Sequence, residues 1–180
     1  MTKFCPLVSG SSGNSIFVKS EGTKILIDAG VSGKKIQDCL KEIGENCADI
    51  DALFITHEHS DHIKAAGILS RRFDIPLYAT EGTWLAMENT IGNIERRNRK
   101  VIYSGEKTQL NDMILKPFSI PHDAADPVGY NIFSDGIKMT VATDIGHIDD
   151  TVKEAVADSD VLLLEANHDI EMLKRGPYPY

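Results

Sequence analysis

Residues 56–62 read Thr-His-Glu-His-Ser-Asp-His and follow directly on the apolar run Ala52-Leu53-Phe54-Ile55. Imidazole and carboxylate are the side chains that bind divalent transition metals, and their spacing here gives each a direction. In an extended segment, residues two apart point the same way, so His57 and His59 can close on one ion like two prongs. Asp61 and His62 are adjacent, come after a turn, point elsewhere and can reach a second ion. A chance surface cluster would have no reason to follow a buried strand. Two ions need more ligands than these four, and the sequence offers two more where strands hand over to loops. His122 stands in Ser119-Ile120-Pro121-His122-Asp123, after the apolar segment 113–118, and Asp144 closes Val141-Ala142-Thr143-Asp144.

The elements that must hold these residues show in period and turn chemistry. Strands are expected at 15–18 and 24–27, joined by Glu21-Gly22 in a hairpin. Ile36, Cys39, Leu40 and Ile43 recur at i, i+3, i+4 and i+7, a helix face that ends near Gly44. A short buried strand at 52–55 delivers the histidines, with a helix at 63–70 and a strand at 76–79 after it. Thr80 can cap a helix carrying Trp84, Leu85 and Met87. Strands are expected at 101–103, 108–110 and 113–118, and then as a hairpin over 129–142 around Asp135-Gly136. A helix face at Ile148, Val152, Ala155 and Val156 and a strand at 161–164 complete a mixed α/β order with helices packed over sheets.

The chain has 180 residues, 42% of them hydrophobic, enough for one compact domain. No apolar run is long enough to span a bilayer, and the first residues lack a signal-peptide pattern. Cys5, Cys39 and Cys47 form no metal-type pair and read as reduced thiols, so the expected compartment is the cytoplasm. The formal charge of −8 argues against a broad electrostatic grip on duplex nucleic acid. Any hold on a polyanion must be local. The one basic run, Arg96-Arg97-Asn98-Arg99-Lys100, reads as a solvated turn.

Taken together, these motifs resemble the metallo-β-lactamase-fold hydrolases, and within that superfamily the bacterial YycJ/VicX type. The likeness rests on His-Glu-His-Ser-Asp-His at 57–62, the isolated His122, and Asp144 after a strand. It also rests on Ser9-Gly10-Ser11-Ser12-Gly13-Asn14, Ile25-Leu26-Ile27-Asp28-Ala29-Gly30 and Glu165-Ala166-Asn167-His168-Asp169. The resemblance implies an αββα sandwich with metals at one edge, formed by a single domain over 1–180. It implies that His57, His59 and His122 hold one metal, that Asp61 and His62 hold a second, and that Asp144 bridges them. It further implies one more histidine late in the chain, yet none lies beyond His168. The expectation is therefore a domain lacking its C-terminal part, with His168 and His147 read as loop or supporting residues; the alternative is that His168 or water fills the place of the missing ligand.

Two ions about 3.5–4 Å apart lower the pKa of a shared water and supply a hydroxide near neutral pH. They also neutralise charge growing on the attacked group. Asp61 could orient that nucleophile, and Glu165, matching a glutamate in related tRNA-processing enzymes, is the candidate for part of the relay that protonates the leaving group, or else a partner that supports a ligand histidine. The glycine- and hydroxyl-rich loop with Ser11, Ser12 and Asn14 could line an anion site through its backbone N–H groups, or be only a tight turn. An anion loop beside a dinuclear centre favours a phosphodiester, and the resemblance adds nucleases acting on DNA ends. The expectation is a metal-dependent DNA exonuclease with two divalent ions, zinc before manganese or iron, and no membrane or obligate protein partner. The alternatives are a thioester or lactone hydrolase of the same fold, and a non-catalytic metal-binding regulatory module.

Overall fold

The computed structural model describes residues 2–165, which form two sheets with helices on their outer faces. The first sheet contains β1 (Lys3–Val8), β2 (Ser15–Lys19), β3 (Lys24–Ile27), β4 (Ala52–Phe54), β5 (Leu77–Ala79) and β6 (Arg99–Val101), paired in that order. Strands β1 to β3 are antiparallel, and β3 to β6 run parallel. The second sheet has the order β11-β10-β9-β8-β7, from β7 (Thr108–Leu110), β8 (Met113–Ser119), β9 (Val128–Ser134), β10 (Ile137–Ala142) and β11 (Val161–Leu164). The crossovers between parallel strands carry α1 (Gly33–Glu42), α2 (Ser60–Ile63), α3 (Ala66–Phe73) and α4 (Glu81–Ile91) on the first sheet, and α5 (Asp150–Val156) on the second.

Side-chain alternation assigns each face. Ile16, Val18, Ile25, Ile27, Ala52 and Phe54 meet Leu115, Val128, Tyr130, Ile132 and Val141 in the layer between the sheets. Their neighbours Phe17, Leu26, Leu53 and Ile55 point the other way and pack with Ile36 and Leu40 of α1, Leu69 of α3, and Trp84 and Met87 of α4. Val152 of α5 packs with Phe118 and Ala142 on the outer face of the second sheet. The parallel strands β3 and β4 are buried on both faces, so they read as unbroken apolar runs and their C-terminal ends open into loops at one edge.

One strand is unexpected, and two expected elements differ in the structure. Strand β1 has no strand-like sequence signature because Pro6 interrupts it. An edge position tolerates that proline, and the register shifts between Pro6 and Val8. The expected helix at 63–70 is two pieces, because Ala65 N–H leaves the helical ladder to donate to Ala29 O at 2.8 Å. The strand expected at 101–103 lies instead at Arg99–Val101. It is held there by Trp84 Nε1–H on Lys100 O at 2.9 Å, and Arg99 stacks over the Trp84 ring at 4.6 Å.

Cross-strand register places Lys3 opposite Lys19, and Lys19 opposite Lys24. Such like-charge pairs repel. Glu45, just beyond the left-handed Gly44 that ends α1, answers all three, at 3.3 Å from Lys3, 2.9 Å from Lys19 and 3.0 Å from Lys24. Burial alone would raise the Glu45 carboxyl, but the lysine hydrogen bonds outweigh it and bring the carboxyl from 4.5 down to about 2. A depressed pKa contributes stability above pH 4.5 that is lost as pH falls towards about 2. Because the lysines are partly solvated, Glu45→Gln is expected to cost only about 1–3 kcal/mol at neutral pH. Urea unfolding across pH should show the gap between wild type and variant closing between pH 4.5 and about 2; a constant gap would rule out the charged network.

Candidate metal centre

The loops after β3 and β4 are stitched together before any ligand is placed. Asp28 N–H donates to Phe54 O at 2.8 Å, Ala29 N–H to His62 O at 2.7 Å and Asn14 N–H to Asp61 O at 2.8 Å. Within that frame the carboxylate of Asp28 is fully buried and accepts three hydrogen bonds. Thr56 N–H reaches Oδ1 at 2.9 Å, Thr56 Oγ1 reaches Oδ2 at 2.8 Å, and His62 Nδ1 reaches Oδ2 at 2.8 Å. Thr56 Oγ1 stands 3.0 Å from His57 Nδ1. One carboxylate thus fixes His62 directly and His57 through a hydroxyl, turning both Nε2 atoms away from itself.

The rings so fixed converge. His57 lies 4.6 Å from His59, 4.7 Å from His122 and 4.0 Å from His62, centroid to centroid. His122 Nε2 and His59 Nδ1 are 3.2 Å apart. The donor atoms of His57, His59 and His122 lie within 4.8 Å of one another, as do those of His57, His62 and Asp144. His57 belongs to both triads. Asp61, half-buried, places Oδ2 at 3.7 Å from His62 Nε2, and Asp144 places Oδ2 at 2.9 Å from the same nitrogen. Two further contacts hold His122 in place. Glu58 points away from the cluster and accepts Ala125 N–H at 2.7 Å, while Asp126 O accepts from Thr80 Oγ1 at 2.8 Å.

These residues fit divalent cations. His57 Nε2 is buried with no hydrogen-bond partner among the described residues, an arrangement that costs stability unless a cation takes the lone pair. Burial, then the neighbouring rings of His62, His122 and His59, lower the His57 pKa to about 2, so it stays neutral as a ligand must. Burial also lowers His122. At His62 burial works in the same direction, but Asp28 and Asp144 outweigh it and push its pKa up to about 10. His62 Nε2 faces opposite demands, a carboxylate at 2.9 Å that favours a proton and the Asn14 amide nitrogen at 3.1 Å that favours a lone pair. A cation on Nε2 removes the conflict with Asp144.

Of the other sequence candidates, Ser11 and Ser12 are exposed at the tip of their loop. Gly10 N–H and Gly13 N–H are used inside that loop, on Asn14 Oδ1 at 3.0 Å and Gly10 O at 2.9 Å, so fewer backbone donors face outward than expected. Asn14 is buried against His62. Glu165 follows β11 beside Asp144, with its N–H on Ala142 O at 3.0 Å and its O accepting Ile145 N–H at 3.3 Å. His147 is exposed, and His168 lies outside the described residues. Asp28, Thr56 and Glu58 had no role assigned from sequence. The available signal was Asp28 itself, an acid at the end of an apolar run like Asp144; in the structure both are left-handed, with φ of 61° and 55°.

Comparison with known proteins agrees with this geometry. The model of the Beta-lactamase superfamily domain matches residues 23–176. Exodeoxyribonuclease YycJ of Bacillus anthracis is 40% identical over 98% of this chain and 67% of its own length. Exodeoxyribonuclease WalJ of Streptococcus pneumoniae is 41% identical over 99% of this chain and 67% of its own length. Among solved structures, the MIM-2 metallo-β-lactamase superposes with a TM-score of 0.71 at 16% identity, covering 91% of this chain and 72% of that one. A Cronobacter sakazakii metallo-β-lactamase gives 0.68 at 15% identity, covering 91% and 74%.

Two measurements probe the centre. Asp28→Asn keeps the shape but sets an amide where His62 and Thr56 need an acceptor, so zinc affinity should fall by about 10–100-fold in a competitive titration. Unchanged affinity would remove Asp28 from the centre. Zinc uptake by stripped protein near neutral pH should release about one proton, since His62 must give up its charge to bind. His62 is raised from 6.5, so in the stripped protein its charged pairing stabilises below 6.5 and is lost as pH rises through about 10. Proton release should vanish over the same upper range.

Proposed function

This chain belongs to the β-lactamase superfamily and has the metallo-β-lactamase fold, and from that premise we propose that it is a metal-dependent nuclease that shortens DNA from its ends. The observation that carries the reading is the pair of ligand triads sharing His57, whose Nε2 is buried without a hydrogen-bond partner among the described residues. The choice of DNA is supported by the two exodeoxyribonucleases that resemble the chain over almost its whole length.

His57, His59 and His122 would hold one divalent ion, zinc by ligand type, and His62 and Asp61 a second, with Asp144 between them. When bound, the ions supply Lewis acidity for the phosphoryl oxygens and acidify a water to near-neutral pKa. Hydrolysis joins a water oxygen to phosphorus, breaks one P–O bond to sugar and returns a proton to the departing sugar oxygen. Asp61 is only half-buried, so its carboxylate can accept a hydrogen bond from the attacking water and set its direction. Glu165 is placed by its backbone bonds beside Asp144 and is assigned to the leaving-group proton. Ser11 and Ser12, exposed on the loop that ends at Asn14, are assigned to the phosphate next to the one being cut.

The acidic chain favours recognition of ends over lateral gripping of long strands. Metal-loaded protein should therefore degrade linear single-stranded DNA and leave a covalently closed circle of the same sequence intact, as read by gel electrophoresis. Equal cutting of both would defeat the end-directed reading. His57→Ala removes a ligand of the first ion, and it should bind fewer than two ions per chain by elemental analysis and lose cleavage.

A further inference from the structure

Asn14 is a buried amide whose two ends are distinguishable. Its Oδ1 accepts Gly10 N–H at 3.0 Å, which identifies the oxygen end. Its Nδ2 therefore points into the centre and stands 3.1 Å from His62 Nε2. The backbone is clamped on both sides, with N–H on Asp61 O at 2.8 Å and O accepting Gly30 N–H at 2.8 Å. Two glycines permit this approach. A Cβ on Gly30 would lie 1.5 Å from Asp61 O and 2.6 Å from Asn14 N, and one on Gly13 would lie 2.5 Å from Gly30 O. With Asn14 only 2% exposed, the amide cannot swing to find another partner in solvent.

His62 Nδ1 is held by Asp28 at 2.8 Å, so Nε2 is the nitrogen presented to a cation. A cation there takes the lone pair, and Asn14 Nδ2–H then has no acceptor among the described residues. A rigid, buried donor aimed at a reaction centre and lacking an acceptor is the arrangement that stabilises a developing anion. We propose that Asn14 is a catalytic residue whose Nδ2–H donates to a non-bridging oxygen of the phosphate at the His62 side of the centre. The bond forms to bound phosphate and strengthens further as charge grows on that oxygen during attack. This inference rests on the phosphodiester reading above. It gives Asn14 a different task from Ser11 and Ser12, which sit at the exposed end of the same loop.

Asn14→Asp tests it, because the carboxylate still accepts Gly10 N–H in almost the same shape but has no donor to offer. Asn14→Ala controls for the added negative charge. Three quantities are compared in zinc-loaded protein: zinc per chain, the calorimetric Kd for inorganic phosphate, and the separate kcat and KM for linear single-stranded DNA. Zinc content should stay at the wild-type value, and phosphate binding should weaken by about 10-fold or more in both variants. The kcat should fall by about 10²–10³-fold, and KM should rise by a smaller factor. Phosphate affinity within about twofold of wild type in both variants, or zinc lost in step with activity, would overturn the proposal and leave Asn14 as a brace for His62. A wild type that binds phosphate but leaves DNA uncut would sink the nuclease reading alone, and the phosphate comparison would still decide the Asn14 donor.

Discussion

A fully buried carboxylate is the constraint on which this structure turns. Asp28 has no access to water, and a carboxylate so placed is tolerated only when its lone pairs are filled and a positive charge stands nearby. Thr56 and His62 fill the lone pairs, and they can do so only if β3 and β4 lie side by side with their ends level. The same contacts set the ring planes of His57 and His62. Two nitrogens are thereby aimed at a common space by a group that never enters it. The positive charge follows from the same need. In the metal-free protein His62 supplies it as imidazolium, and a bound cation would supply it in its place.

The second sheet must then be brought to this point in register, since His122 and Asp144 come from the ends of β8 and β10. The apolar layer between the sheets gives cohesion but little directional information. Direction comes from a few polar ties at the edge of that layer. Tyr130 O–H donates to Ile55 O at 2.6 Å, and Val128 N–H donates to Thr56 O at 3.0 Å, immediately before the histidine run. Glu58 adds the third tie on the loop after His122. The residue between two ligand histidines thus aligns a third from another sheet, because alternation turns its side chain away from the ions.

How much of this the sequence reveals depends on how local each feature is. The run at 56–62 is legible because its ligands are close in sequence and the strand before them is short and uniformly apolar. His122 and Asp144 are legible only as acids or imidazoles at strand ends, which many loop residues are. Asp28 answers the same description, but its partners Thr56 and His62 are 28 and 34 residues away, and no short-range pattern announces such a bond. The elements follow the same rule. The helix expected at 63–70 is broken by a single bond from Ala65 to Ala29, and β6 is shifted by Trp84 and Arg99, both tertiary contacts. Asn14 shows the opposite case, a residue picked out as part of an anion loop whose buried side chain faces His62.

Charge counting links the site to its substrate class. Burial favours neutral imidazoles at His57 and His122, while three carboxylates, those of Asp28, Asp61 and Asp144, stand around the centre. Without cations these carboxylates would repel any phosphate, on a chain already carrying −8. On the proposed assignment, two divalent ions with a neutral His62 would reverse the balance, to a formal charge of about +1 before a bound water loses its proton. A phosphodiester brings one negative charge and would be drawn to this one positive spot from an otherwise repelling surface. A neutral thioester or lactone would gain far less from the same field. Under the proposed function, an acidic protein with a local cationic site would discriminate by access: a chain end would reach the site without laying further phosphates against acidic surface, whereas the middle of a strand would not.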